Sequence, residues 1–171
     1  ANLKPDAVVI VATIRALKYH GGVPKSDLSL TNSEAVKRGF TNLKQHIENL
    51  QKYSLPLVVA INRFDTDTDE EVNIVNRSCQ ELGVRVAQAT HWRDGGKGAI
   101  KLAQEVLGAL EVGSSAPFKL LYEDDLPIKE KIFRIATEIY RASSVVYSKQ
   151  AEQQLSQLVA LGCDKLPVCV S

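Results

Sequence analysis

The sequence has few cysteines and no long apolar stretch. Its three cysteines, Cys79, Cys163 and Cys169, are an odd number without C-x-x-C spacing, which argues against both a disulfide framework and a zinc site. No apolar run approaches the roughly 20 residues that span a bilayer, and the first residues do not have the pattern of a signal peptide. We therefore predict a soluble protein of a reducing compartment, the cytoplasm or alternatively an organelle, without disulfides among these cysteines.

An excess of charge of one sign is also absent. The 21 Lys and Arg residues against 20 Asp and Glu residues leave a net charge of +1. No overall field therefore attracts nucleic acid or an anionic membrane, and we expect neither partner. With 44% hydrophobic residues in 171 positions, the composition is that of a globular protein with a core, and the length fits one domain or a large part of one.

The sequence does not begin with methionine, and its first residue is Ala1. A strand-like pattern begins a few residues later, and another ends at the last residue. We therefore expect both ends to be cuts and the chain to be an internal piece of a longer protein.

Uninterrupted apolar runs rich in β-branched residues predict parallel strands at about 7–12, 56–62 and 84–89, with 166–170 as a candidate fourth. Apolar residues at spacings of three and four predict helices between them. These helices cover about 33–53, 72–82 (ended by Gly83), 100–110, 128–139 and a stretch capped by Ser148 and ended by Gly162, with Leu155 and Leu158 facing inward. The predicted fold is α/β, a parallel sheet with helices on both sides, and its C-terminal part is more helical.

The small residues 113–117 (GSSAP) are the best linker candidate, because the sequence changes there from strand-rich to helix-rich. They predict an α/β part at 1–112 and a helix-rich second part at 113–171.

Ligands of open parallel sheets bind beyond the carboxyl ends of the strands. The loop after the first run holds Thr13, Arg15, Lys18, His20, Gly21 and Gly22. Arg15 or Lys18 can pair with phosphate, and the glycine pair lets backbone approach a ligand. The alternative is a basic loop that ends in a glycine turn. His20 has no second ligand at metal-binding spacing, so we predict no metal site.

The second run is followed by Asn62-Arg63-Phe64-Asp65. This pattern resembles the N-K-x-D loop of phosphate-loop nucleotide hydrolases, where an amide and a carboxylate read a purine edge and an aromatic ring can stack on its face. A strand that ends in Asn before an acidic turn is also commonplace, so the pattern alone is a weak signal.

Trp92, the only tryptophan, lies in the polar, glycine-rich loop 91–98 after the third run. A flat ligand between Phe64 and Trp92 would explain two aromatic residues at neighbouring strand ends of a chain with only 6% aromatic residues. The alternative is that Trp92 covers the core. We predict that the two rings face each other across a slot one ring wide, with Asn62 at its edge.

Six segments, in order, resemble formate–tetrahydrofolate ligase, and together they run from end to end of the chain. They are LKPDAVVIVATIRALKYHGG, NLKQHIENLQKY, LPLVVAINRFDTDT, ATHWRDGGKGAIKLA, LPIKEKIFRIATEIY and LGCDKLPVCVS. The resemblance implies a larger, ATP-dependent enzyme of phosphate-loop NTPase-like fold, of which this chain is about the middle third. In that enzyme formate is phosphorylated to formyl phosphate, which N10 of tetrahydrofolate attacks to give 10-formyltetrahydrofolate.

The resemblance also implies roles for particular residues. Phe64 and Trp92 match the aromatic pair that sandwiches the flat ring of the nucleotide or pterin, which places 1–112 in a nucleotide/folate-binding domain. The loop residues Thr13, Arg15, His20, Gly21 and Gly22 would lie near the phosphate end. Asp65 departs from the family, which often has an uncharged residue there.

No G-x-x-x-x-G-K-[ST] motif occurs in these 171 residues. The resemblance places the phosphate loop upstream and the catalytic acids and bases largely outside the chain. We therefore identify no catalytic residue, and expect ATP and Mg²⁺ to be bound mainly by other residues and the isolated chain to be inactive. A homo-oligomeric parent enzyme that binds formate, tetrahydrofolate and ATP is the expectation.

Two other functions compete with the enzyme. One is a ligase-like module that keeps the ring pocket but has lost catalysis, which the sequence before Ala1 would distinguish. The other is a GTPase-like switch, which rests only on Asn62-Arg63-Phe64-Asp65 and lacks a phosphate loop in this chain.

Overall fold

The computed structural model describes residues 4–170, so the first three residues, which bear on the signal-peptide question, and Ser171 lie outside the description. The chain divides into two compact units, with the division between Phe118 and Lys119. Sequence reasoning places the boundary between residues 112 and 113, at the other end of the small-residue segment.

The first unit contains a parallel sheet of three strands, β1 (Val8–Ala12), β2 (Leu57–Asn62) and β3 (Arg85–Ala89), in the order β1-β2-β3. Ile10 pairs with Val59, and Val59 pairs with Val86. The three predicted strands and the α/β class are thereby confirmed, while the phosphate-loop type of the fold stays a prediction.

The described part of the first unit contains five helices. They are α1 (Ile14–His20), α2 (Ser33–Gln51), α3 (Asp69–Glu81), α4 (His91–Asp94) and α5 (Ile100–Val112), with short 3₁₀ turns at Lys25–Asp27 and Gly95–Ala99. Of these, α2, α3 and α5 lie where the apolar spacing predicts them, while α1 and α4 form in stretches that were predicted to be loops. The Asn32 side chain accepts the Ala35 N–H at 2.9 Å and so starts α2. Thr68 and Glu71 form a capping box at the start of α3.

The core lies between one face of the sheet and helices α1, α2 and α3. Its fully buried members include Ile14, Val36, Ile47, Val59, Ile61 and Val75. Helix α5 packs against β2 and β3 on the other face, so β2 is covered on both sides as predicted. Val11 on β1 is 63% exposed, because α5 does not extend that far.

Cys79 lies in this core, and burial raises the pKa of its thiol to about 11. Cys79, Cys163 and Cys169 are all free thiols. A buried thiol with a raised pKa is unreactive, so Cys79 is a packing residue.

The second unit contains α6 (Ile128–Glu138) and α7 (Lys149–Ala160). The Ser148 side chain caps α7 by accepting the Ala151 N–H at 3.1 Å, and Gly162 follows its end with φ +74°. Leu155 is half-buried, but Leu158 is 38% exposed, so the inward position predicted for Leu158 is wrong.

The candidate fourth strand at 166–170 is also wrong, since this segment forms no strand in the described part of the chain. Side chains form hydrogen bonds with backbone groups that would otherwise pair with a neighbouring strand. The Tyr122 hydroxyl accepts the Val168 N–H at 2.9 Å and donates to its carbonyl at 3.0 Å. The buried Lys131 ammonium donates to the carbonyls of Asp164 and Leu166, both at 3.0 Å.

Candidate ring-binding site

The loops after β2 and β3 bring Phe64 and Trp92 together. Their ring centroids lie 5.7 Å apart with an interplanar angle of 29°, a stacked pair. Trp92 Nε1–H donates to the Arg63 carbonyl at 3.1 Å, which fixes the indole against the β2 loop. Trp92 is 51% exposed, so it does not act as a cover for the core. The convergence expected of neighbouring parallel strand ends therefore occurs.

The predicted width of the slot is wrong for this structure. A ring inserted between Phe64 and Trp92 needs two contact spacings of about 3.5 Å, or roughly 7 Å between the outer rings. The observed 5.7 Å leaves no such space. The two rings are stacked on each other instead, so a ligand ring could enter only if they moved apart.

Arg15 on α1 reaches the same place from the end of β1. Its guanidinium carbon lies 5.0 Å from the centroid of the Phe64 ring, within cation–π range. Its Nη2 donates to Thr66 Oγ1 at 3.4 Å. All three strand-end loops therefore contribute to the surroundings of Phe64.

The other residues of the first loop have structural contacts. The Thr13 side chain accepts the Ala16 N–H at 3.1 Å and starts α1. His20 meets the ring of Tyr19 edge-on, with centroids 6.0 Å apart. A Cβ on Gly21 would lie 2.0 Å from the Ala35 carbonyl oxygen, and Gly22 has φ +92°, so both glycines are required by the backbone.

Lys18, which the sequence offers as a phosphate partner, is fully buried and pairs with the fully buried Glu71 at 3.2 Å. Lys18 Nζ also donates to the Leu30 carbonyl at 3.0 Å. Burial alone would raise the pKa of Glu71, but hydrogen bonds from the N–H groups of Asn32 and Thr68, with the Lys18 ammonium, hold that pKa below its usual value. The phosphate role predicted for Lys18 is therefore wrong, because its charge is already neutralised inside the fold.

Asp67 was not found from the sequence. Its Oδ2 accepts the Phe64 N–H at 2.8 Å, while its own N–H donates to the Phe64 carbonyl at 3.0 Å. Asp67 is 4% exposed, and burial raises the pKa of its carboxyl against the opposing effects of the Phe64 N–H and the Lys18 charge. This reciprocal pair fixes the backbone that carries the Phe64 ring. The T-D-T-D-E-E run around it gave no signal of which carboxylate is buried.

Asn62 ends β2, beside Ala89 of β3. Its Oδ1 is buried and accepts no hydrogen bond from the described residues. A buried acceptor without a donor costs about 1–3 kcal/mol, so a ligand N–H that reached it would be favoured.

Asp65, which occupies the carboxylate position of the N-K-x-D pattern, pairs with Arg93 at 2.8 Å. Arg93 also donates to the Asp94 carboxylate at 3.0 and 3.1 Å. These exposed pairs connect the Phe64 loop with the Trp92 loop.

Among residues 4–170, no group of three or more His, Cys, Asp or Glu side chains is arranged to hold a metal ion. A Mg²⁺ ion bound with ATP takes most of its ligands from phosphates and water, so this result bears only on a metal ion held by side chains alone. No helix in the described part of the chain is both long and apolar enough to cross a membrane.

Comparison with known protein families gives a match over residues 1–171 to the family described as formate–tetrahydrofolate ligase. The matched region is the whole of the sequence. It includes all six segments that carry the resemblance.

Proposed function

The chain belongs to the formate–tetrahydrofolate ligase family, and on that premise we propose that it forms the ring-binding wall of a ligase that makes 10-formyltetrahydrofolate. The family is ATP-dependent and uses tetrahydrofolate. The proposal covers the larger enzyme in which these residues act, together with a phosphate loop and catalytic groups supplied by sequence outside them.

The stacked pair of Phe64 and Trp92 at the carboxyl edge of the sheet carries this proposal. A flat heteroaromatic ring, of the pterin or of the nucleotide, would enter between them and exchange one ring contact for two. The hydrogen bond from the Phe64 N–H to Asp67 would hold the Phe64 backbone while the rings move apart. Trp92 would keep its hydrogen bond from Nε1 to the Arg63 carbonyl.

Other parts of the enzyme would activate formate and transfer the formyl group. ATP with Mg²⁺ would supply the phosphoryl group that activates formate, and the G-x-x-x-x-G-K-[ST] motif does not occur in this chain. The contribution of this chain is to orient the ring and exclude water from one side of it, with Arg15 and Asn62 nearby.

Replacing Trp92 tests the site in the full-length enzyme. Stacking on an aromatic residue is worth about 1–3 kcal/mol per ring, so Trp92→Ala should raise the apparent constant for tetrahydrofolate or ATP about 5- to 150-fold. Formate has no ring, so its constant should change less. Steady-state kinetics with each substrate varied in turn would show which ring the pair holds.

Trp92→Phe keeps a ring and should recover much of the lost affinity. Tyr140→Ala removes an exposed aromatic residue of the second unit and should change none of the constants. Unchanged constants for both ring-bearing substrates in Trp92→Ala would reduce Trp92 to a surface packing residue.

A second candidate is a ligase-like module that binds the ring without catalysis. The absence of a G-x-x-x-x-G-K-[ST] motif in these 171 residues is compatible with both candidates. A full-length protein without that motif, and without formate-dependent ATP turnover, would support the module over the enzyme.

A further inference from the structure

A cavity lies beside the Trp92 loop, separate from the stacked pair of Phe64 and Trp92. Its volume is about 420 Å³. The cavity is lined by Gln88, Thr90, Asp94, Lys97, Gly98 and Lys101. Two of these residues, Thr90 and Asp94, flank Trp92 in the sequence, so the cavity and the ring site share one short helix.

The loop that forms this cavity is tightly folded. Thr90 N–H donates to the Gly98 carbonyl at 3.0 Å. A Cβ on Gly98 would lie 2.6 Å from the Thr90 carbonyl carbon, so only glycine fits there. The contact holds the segment that carries Lys97 and Lys101 against the base of the Trp92 helix.

The charge of the cavity is positive. Lys97 and Lys101 are exposed, and neither has an ionic partner within residues 4–170. The Asp94 carboxylate is already occupied by Arg93 and by the Thr90 hydroxyl, which donates at 2.6 Å. Glu105, one turn along α5 from Lys101, is paired with Arg85 at 2.9 Å instead. Two cations are therefore available to an anion.

We propose that Lys97 and Lys101 bind the glutamate carboxylates of the tetrahydrofolate whose ring stacks at Phe64 and Trp92. This inference rests on the proposed function and adds the anionic end of the same ligand. Tetrahydrofolate has a flat ring at one end and two carboxylates at the other, which matches an aromatic pair beside a pair of unpaired lysines.

The phosphates of ATP are the other anion that two lysines could bind, and the kinetic test separates them from the carboxylates of tetrahydrofolate. ATP is bound as a metal complex. Carboxylates need no metal, and a lysine binds them as a point charge.

The test uses the full-length enzyme with Lys97→Gln/Lys101→Gln. Exposed ion pairs contribute modestly, so the KM for tetrahydrofolate should rise about 2- to 30-fold at low ionic strength. The increase should shrink as salt is added, because these charges are exposed. The KM values for ATP and formate, and kcat, should stay unchanged.

A substrate without the glutamate charges shows whether the lysines act through their charge or through their shape. With the diamide of tetrahydrofolate, in which both glutamate carboxylates are amides, wild-type and double-variant enzymes should have equal KM values. Lys119→Gln/Lys149→Gln removes the same charge from exposed lysines of the second unit and should behave as wild type.

An unchanged KM for tetrahydrofolate, an equal loss with the diamide, or an increase confined to ATP would each overturn the assignment. Trp92→Ala, measured in parallel, distinguishes a failure of the lysine assignment from a failure of the proposed function. If it raises the KM for tetrahydrofolate while the double-lysine variant has no effect, the ring site stands and only the lysine assignment fails. If Trp92→Ala also has no effect, the proposed function fails with it.

Discussion

At the scale of single residues, the buried pair of Lys18 and Glu71 should dominate stability. Glu71→Gln leaves the Lys18 ammonium buried without a counter-charge, so we expect a loss of about 3–5 kcal/mol in the free energy of unfolding. Denaturant unfolding at pH 7 measures it. Glu34→Gln is the matched control, because its pair with Lys37 is exposed and its loss should be undetectable. Similar losses in the two variants would contradict the role of the buried pair.

The same pair predicts a pH dependence. The folded-state pKa of Glu71 is lowered, so its contribution is fully present above its unfolded value of about 4.5. It is lost as the pH falls through the lower folded value. The difference in unfolding free energy between wild type and Glu71→Gln should therefore narrow below about pH 4.5. A difference that stays constant down to pH 3 would rule out an ionic origin.

The residues of the site differed in how well the sequence revealed them. Phe64 and Trp92 were found because two aromatic residues follow neighbouring buried strands in a chain with only 6% aromatic residues. Lys18 was misjudged because its burial depends on Glu71, which is 53 positions away and enters through the capping box of α3. The slot width was misjudged because it depends on side-chain conformations that no spacing encodes.

At the scale of elements, two glycines in helix interiors should respond oppositely to alanine. A Cβ on Gly39 of α2 would lie 1.8 Å from the Leu17 carbonyl oxygen of α1, so Gly39→Ala must push the helices apart and cost about 1–3 kcal/mol or more. On Gly108 of α5 it would meet only the flexible end of Arg85 at 3.2 Å. Gly108→Ala should therefore stabilise the protein by up to about 1 kcal/mol. Thermal unfolding of both variants measures this, and a shared sign would refute the packing argument.

Strands were predictable where burial on two faces leaves an uninterrupted apolar run, as in β2. The segment 166–170 (LPVCV) is also an apolar run, yet Tyr122 and Lys131 form hydrogen bonds with its backbone. A strand requires a neighbour as well as a pattern. Leu158 illustrates the same limit, because a helical stripe indicates a face but does not say how much of it is covered.

At the scale of the whole molecule, the family match extends over the entire chain, while the G-x-x-x-x-G-K-[ST] motif does not occur in its 171 residues. The sequence identified the α/β class because three buried runs alternate with amphipathic stripes. The sequence also predicted that Phe64 and Trp92 lie at one edge of the sheet, because neighbouring parallel strands end together. The buried contacts of Asp67 escaped it, since they depend on how the turn after β2 folds back.

The purified chain should bind tetrahydrofolate or ATP through its ring but should not catalyse the reaction. Supplied with formate, tetrahydrofolate, ATP and Mg²⁺, it should form no 10-formyltetrahydrofolate, because no phosphate-binding motif lies within its 171 residues. Trp92 is its only tryptophan, so the fluorescence lifetime reports the ring pair directly, without distortion by ligand absorption. Tetrahydrofolate or ATP should change that lifetime as the rings separate, and Phe64→Leu should weaken the response. Product above the enzyme-free background would place the missing groups inside the chain. A lifetime unchanged by saturating concentrations of both ligands would show that the isolated chain does not bind a ring between Phe64 and Trp92.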